Sequence, residues 1–267
     1  MSLADTPPLP EIRVNGVSLY HEVHGHGEPI LCVHGTGSSA AAWSNALVTL
    51  RTRGRAIAYD RRGSSRSERP QPYATSVRQQ AGDAAALIDA LAAAPAIVIG
   101  RSYGADVAIE LALRHPERVR ALALLEGGES MSDGGRRYLA ELGAVVLAAA
   151  DVGVDAVAEA LLRAVLGDAT WEGLPEEAKG MFTANGPAIV AEFRGGFLDA
   201  APEELAAIDQ PTLLVTAEDS PPAFAEATAA LASAIPSARV ARVAGGHLID
   251  PAGPAVLAFV DEVLAPP

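Results

Sequence analysis

Apolar residues recur along the chain in two rhythms that alternate almost from end to end. Short apolar runs at 12–14, 17–23, 30–33, 56–59, 96–99, 119–125, 212–216 and 239–243 predict strands. Between several of them apolar positions fall three and four residues apart. Val77, Ala81, Ala84, Leu87, Ile88 and Leu91 are the clearest case and predict a helix that Pro95 closes off. The same reading predicts helices over 40–50, 107–113, 223–234 and 255–264, with Pro116 stopping the second. Asn15-Gly16, between the first two runs, is a strong hairpin signal, so the chain opens with antiparallel strands. The strand–helix alternation after it implies an α/β fold, a mostly parallel sheet with helices on both faces.

One section breaks the rhythm. From about Met131 to Leu205 there are helical patterns and no convincing strand. Four short helices are predicted over 145–150, 154–166, 175–182 and 188–197, punctuated by Gly153, Gly167, Gly186-Pro187 and Pro202. The chain therefore divides into a core of residues 1–127 and 206–267 and a helical insertion, 128–205, over one end of the sheet.

Composition narrows the function classes. Hydrophobic residues make up 49% of the 267 positions, enough for a substantial core. Acidic residues outnumber basic ones by 33 to 20, for a formal charge of −13, and such a surface repels phosphate backbones. With aromatics at 4% there is no base-stacking platform either, so no nucleic-acid partner is expected. The single cysteine, Cys32, rules out an intrachain disulfide and a multi-cysteine zinc site, and its apolar strand makes it a core residue. Residues 1–10 show no basic start followed by an apolar run. The long apolar stretch at 84–99 is interrupted by Asp89 and Pro95. A soluble, cytoplasmic protein with a small-molecule substrate and no membrane partner is the expectation; nothing in the sequence specifies an oligomeric state.

Two motifs carry chemistry. Gly100-Arg101-Ser102-Tyr103-Gly104 stands between a buried strand and an amphipathic helix, a context in which two glycines allow a tight turn that exposes the serine hydroxyl at the helix N-terminus. His34-Gly35-Thr36-Gly37 also follows a buried strand. An acyl-transfer site needs two N–H groups aimed at the developing oxyanion, and the amides of Thr36 and Tyr103 are the candidates. A serine nucleophile also needs a base. His21, His24 and His26 cluster in the opening hairpin without the carboxylates or cysteines that would complete a metal site; His115 ends a helix and His34 belongs to the glycine-rich loop. His247, in a loop after the last strand, remains as the base.

Together these residues resemble the α/β-hydrolase superfamily: HGTG at 34–37, YDRRG at 59–63, GRSYG at 100–104, RHPERVRAL at 114–122 and GGH at 245–247. The resemblance covers most of the chain and implies an eight-stranded sheet with a helical cap. The sequence departs from the usual pattern at the third member of the triad. The family commonly places an Asp three residues after a Gly that ends the penultimate strand; here Ala217 takes the Gly place and Ser220 the acid place. Asp219 and Glu218 lie one and two residues early. Glu126 follows the strand at 121–125, which should lie beside the nucleophile strand, and so emerges at the same sheet edge as Ser102, with Gly127-Gly128 turning the chain away. Some superfamily members, including certain haloalkane dehalogenases and zearalenone-type lactonases, place a Glu acid there. Glu126 is favoured over Asp219; Glu218, Asp250 and a dyad without an acid stay open.

The resemblance implies a serine hydrolase acting on a carboxylic ester or a lactone, with Ser102, His247 and Glu126 as triad and no metal, nucleotide or organic cofactor. A serine at position 102 excludes the Asp-nucleophile chemistry of dehalogenases and epoxide hydrolases. The superfamily also holds cofactor-free haloperoxidases, hydroxynitrile lyases and C–C hydrolases with this triad, and slow-turnover receptors that retain it. Aromatic residues are scarce, yet Phe182, Phe193, Phe197 and Trp171 all fall in the insertion as candidate substrate-binding residues; at least two of the four, foremost among the three Phe residues, are expected to border the pocket of a neutral, largely apolar substrate, the others packing the insertion. Arg101 is expected to pack and to pair with a buried carboxylate, with an anion-binding role as the alternative.

Overall fold

The computed structural model describes residues 10–266; residues 1–9, on which the reading of no leader peptide rests, lie outside the described residues. All eight apolar runs form strands: β1 (Glu11–Val14), β2 (Val17–His24), β3 (Pro29–Val33), β4 (Arg55–Tyr59), β5 (Ala96–Arg101), β6 (Val119–Leu125), β7 (Thr212–Ala217) and β8 (Ala238–Val243). They make one sheet in the order β1-β2-β4-β3-β5-β6-β7-β8. Only the pairs β1·β2 and β2·β4 are antiparallel. The opening turn has positive φ at both Asn15 (45°) and Gly16 (75°), the twist a two-residue hairpin requires and the reason for this dipeptide.

Successive residues of a strand point to opposite faces, and β3 shows how both are covered. Leu31 and Val33 join the core that includes α2 (Val77–Ala90) and α3 (Tyr103–Arg114), whereas Ile30 and Cys32 join the core that includes α1 (Ser44–Leu50) and α11 (Pro254–Leu264). A strand apolar at every position is thus explained by helices on both sides. The helix predicted over 40–50 is divided into a short 3₁₀ turn, Ala40–Trp43, and α1. The buried Asp60 carboxylate accepts the Ala40 amide at 2.6 Å and holds the chain at that start.

Between β6 and β7 the chain is helical: α4 (Asp133–Val152), α5 (Ala156–Leu166), α6 (Asp168–Gly173), α7 (Glu176–Ala184), α8 (Gly186–Gly195) and α9 (Pro202–Leu205). The prediction of a short helix at 145–150 is corrected: α4 runs for 20 residues. Gly134 and Gly135 obscure its beginning, but the Ser132 hydroxyl accepts the Gly135 amide at 2.9 Å and caps it. At six residues, α6 is too short to show a period, and the sequence reading misses it. The segment has a small core of its own around Leu142, Val146, Val157, Leu161 and Ile189. Among the described residues, no helix is long and apolar enough to cross a membrane. After the helical segment β7, α10 (Pro222–Ala234), β8 and α11 complete the alternation of strand and helix.

Candidate active site

β5 ends at Arg101 and α3 begins at Tyr103, leaving Ser102 alone to make the turn with φ 55° and ψ −129°. For a residue with a Cβ this left-handed region costs on the order of 1–3 kcal/mol. The turn is tight because Gly104 lies against β3, where an added Cβ would collide with the Val33 carbonyl oxygen. The Ser102 amide donates to the Leu125 carbonyl at 3.0 Å and ties the turn to the neighbouring strand.

The parallel register of β5 and β6 pairs Arg101 with Leu125, so the next residues, Ser102 and Glu126, leave the sheet side by side. Glu126 also has positive φ, 45°. Its carboxylate is 1% exposed and accepts from His247 Nδ1 at 2.7 Å, the Ala217 amide at 2.8 Å and the Ser220 hydroxyl at 2.8 Å. Burial pushes its pKa up, but these bonds outweigh it and hold the carboxyl below its ordinary range. Ser220, in the position where the family usually carries its acid, thus donates to the acid supplied by another strand. Asp219 holds the loop by its amide, which donates to the Gly245 carbonyl at 2.9 Å. Among the described residues, Glu126 is the carboxylate on His247.

His247 is 8% exposed, and its ring stacks on Phe224 at 4.3 Å between centroids. With the carboxylate on Nδ1, that nitrogen carries the proton and Nε2 is left as an acceptor. His247, Ser102, Tyr103, Thr36 and Gly35 border one cavity. The loop carrying Thr36 is pinned from beneath by Arg61, whose Nε and Nη2 donate to the carbonyls of His34 and Gly35 at 2.9 and 3.0 Å. Those bonds turn the carbonyls away from the cavity. Arg61 Nη2 also lies 2.7 Å from Glu192 Oε1 on α8, and both side chains are 0% exposed. One buried ion pair therefore fastens the helical segment to the glycine-rich loop. Removing one partner of such a pair leaves an uncompensated charge, so Arg61→Met is expected to lower unfolding stability by about 3–5 kcal/mol in urea denaturation, well beyond a surface substitution.

The helical segment supplies most of the cavity's apolar wall, with Leu142, Leu161, Val165 and Leu174 among its residues. Phe182, Phe193 and Phe197 also border it, but Trp171 does not. Trp171 is 6% exposed and faces Lys179, 5.9 Å from the ring centroid, at a separate surface depression. The expectation for Trp171 is thus corrected: α6 packs on α5, and the α5 side chains Leu161 and Leu162 form the wall instead. Arg101 is corrected as well. Its guanidinium has no carboxylate within ion-pair distance among the described residues; it lies over the Trp43 ring at 5.6 Å, reaches the Ile249 carbonyl at 3.5 Å and borders the cavity. The sequence reading also misses Phe224, Glu129 and Tyr138 at the cavity. Phe224 carried a signal, as an aromatic residue close to the atypical acid loop. Among the described residues, no group of three or more His, Cys, Asp or Glu side chains is arranged to hold a metal ion.

The alpha/beta hydrolase fold family matches residues 28–249. This chain is one of its members. Within the family it is 32% identical over 271 aligned residues to a protein of Azorhizobium caulinodans named "Putative carbamate hydrolase RutD", an alignment that spans 96% of this chain and 99% of that one. An esterase from Thermogutta terrifontis shares the fold with a TM-score of 0.78 and 23% identity, over 96% of this chain and 98% of its own. The enol-lactonase of Burkholderia xenovorans shares it with a TM-score of 0.67 and 24% identity, over 96% and 98%. At those identities the likeness to the two solved structures is one of fold.

Proposed function

We propose that this α/β hydrolase is a serine hydrolase that cleaves a carboxylic ester or a lactone of a small, neutral, largely apolar substrate through an acyl-enzyme. The observation that carries the reading is the 2.7 Å bond between His247 Nδ1 and Glu126, which leaves Nε2 free in a residue that borders the same cavity as the serine of the strained turn. Ser102 Oγ attacks the carbonyl carbon as His247 Nε2 takes its proton. Glu126 holds the imidazole in the right tautomer and balances the imidazolium. The amides of Thr36 and Tyr103 donate to the oxyanion. The imidazolium then protonates the leaving alcohol, and a water deprotonated by His247 releases the acid. No cofactor takes part in these steps. Residues 128–205 act as the cap over the pocket. A cytoplasmic location and a small-molecule substrate as sole partner belong to the same reading.

The wall favours ester or lactone over a small polar carbamate, the substrate class in the relative's name, because apolar side chains cannot replace the water around a polar group. A fluorophosphonate probe on the native protein and on Ser102→Ala, run beside a panel of esters, lactones and carbamates, tests this. Ser102-dependent labelling with turnover of apolar esters supports the proposal; labelling that survives in Ser102→Ala overturns it. Specificity has its own test. Phe182→Ala, Phe193→Ala and Phe197→Ala are each expected to change the preference between short- and long-chain esters by about 10-fold or more while Ser102 labelling persists. An unchanged ranking in all three removes the cap from specificity.

A further inference from the structure

Three carboxyl groups are buried together behind the nucleophile turn: Asp106 on α3, Glu126, and Glu129 in the short 3₁₀ turn Glu129–Met131. The first two are well supplied with donors. Asp106 accepts the amides of Gly128 and Leu198 at 2.7 and 3.1 Å, and Glu126 accepts the three donors described above. Glu129 is 4% exposed and borders the cavity, yet among the described residues it has no cation, and only its own amide bonds to it. Beside it on the cavity wall, the Tyr138 hydroxyl is buried without a hydrogen-bond partner among the described residues. The Tyr138 ring packs edge-on against Phe224 at 5.5 Å, and Phe224 in turn stacks on His247, so the two polar groups lie on the histidine side of the site. A buried hydroxyl without a partner is uncommon, and the triad chemistry uses neither Tyr138 nor Glu129.

We infer that Glu129 and Tyr138 form a second polar subsite in the cavity, which recognises one uncharged oxygen, a carbonyl or a hydroxyl, carried by an otherwise apolar ester or lactone. The inference rests on the hydrolase reading for the word substrate, but the subsite itself is defined by binding. Burial, then the nearby Asp106 and Glu126 charges, push the Glu129 carboxyl up to about 8. Its protonated form is therefore the one present at neutral pH, a carboxylic acid able to donate an O–H where a carboxylate could only accept. Tyr138 adds a second O–H. The other ionisable residues bordering the cavity are His247, Arg101 and Tyr103, and burial holds the Tyr103 hydroxyl protonated. On the elements packed around Glu129, the remaining charged side chains are exposed: Asp133, Arg136, Arg137, Glu141 and Asp151 on α4 and Glu226 on α10. Such an arrangement rewards an acceptor oxygen and penalises a carboxylate, which would meet Glu129 at the wall with the Asp106 and Glu126 charges buried behind it.

The test is calorimetric binding to Ser102→Ala of two chain-matched pairs: ethyl 5-oxohexanoate against ethyl hexanoate, and 4-oxopentyl butanoate against pentyl butanoate. The two keto esters place the ketone on the acyl and the alcohol side. In at least one pair, adding Glu129→Leu is expected to reduce the keto-over-plain affinity ratio about tenfold, and Tyr138→Phe to reduce it by a smaller factor. Glu129→Gln keeps a donor that does not titrate. It is expected to hold the ratio from about pH 6.5 to about pH 9, whereas the Ser102→Ala parent loses it as pH rises through the Glu129 pKa. Using a ratio at fixed pH cancels any pH effect that both members of a pair share. Ratios unchanged by Glu129→Leu, Tyr138→Phe and pH in both pairs overturn the inference. Should Glu129→Leu fail to fold, the Glu129→Gln pH comparison and Tyr138→Phe decide it. Turnover of the plain esters by the native protein is read separately: the expected binding pattern without turnover would refute the catalytic reading and leave the subsite standing.

Discussion

Ser102→Ala is expected to lower kcat for a hydrolysed ester by about 10⁵- to 10⁶-fold, and His247→Ala by a similar factor. Nucleophile and base act as one unit: without the hydroxyl there is no acyl-enzyme, and without the imidazole the hydroxyl stays protonated at neutral pH. The double variant should therefore be little worse than either single one, and that non-additivity separates a shared mechanism from two independent defects. Steady-state kinetics on the three variants, with thermal melting as a folding control, decide the matter. Removing Ser102 also leaves a backbone turn that alanine adopts no more easily than serine, so the melting temperature should change little. Near-native turnover in Ser102→Ala would remove the serine-hydrolase reading.

Glu126→Gln is expected to reduce kcat by about 10³- to 10⁴-fold, and Asp219→Asn by no more than about twofold. The amide of glutamine can present its N–H to Nδ1, which forces the proton onto Nε2 and leaves the serine facing a donor instead of a base. The carboxylate also accepts from Ala217 and Ser220, so a neutral replacement weakens the loop that carries Ser220 as well. The acid limb of the pH–rate profile gives a second readout. Glu126 has a depressed folded pKa, so it stays ionised into the acid range and its contribution to the rate is lost only as pH falls through that folded value. That loss should be absent from the profile of residual activity in Glu126→Gln. Equal damage from Asp219→Asn and Glu126→Gln would show that the acid assignment is wrong.

Much of this protein is readable from its residues alone, and the reason is local. The central strands are marked by unbroken apolar runs because a strand covered on both faces has few polar positions to confuse the pattern, as β3 and β5 show. The hairpin was marked by Asn15-Gly16 because few other pairs take positive φ twice. Ser102 was marked by its glycines because the turn requires Gly104 to pass against Val33. Glu126 was legible through a combination of topology and absence: a serine stood in the usual acid place, and a glutamate followed the strand expected next to β5. What only the tertiary structure decided are the relations between residues distant in sequence. Trp171 and Phe182 look alike as aromatic residues of one insertion, but the packing of α6 on α5 turns the first away from the cavity and leaves the second beside it. Arg101 looked like half of an ion pair, and only the fold shows that among the described residues no carboxylate comes within reach, its guanidinium lying over Trp43 instead. Phe224 under His247, Arg61 between the glycine-rich loop and Glu192, and Glu129 beside Tyr138 depend on which elements meet, at distances no spacing along the chain encodes. Local backbone rules act within a few residues and can be read in order; side-chain packing is set by the whole core at once, and only the assembled chain reveals it.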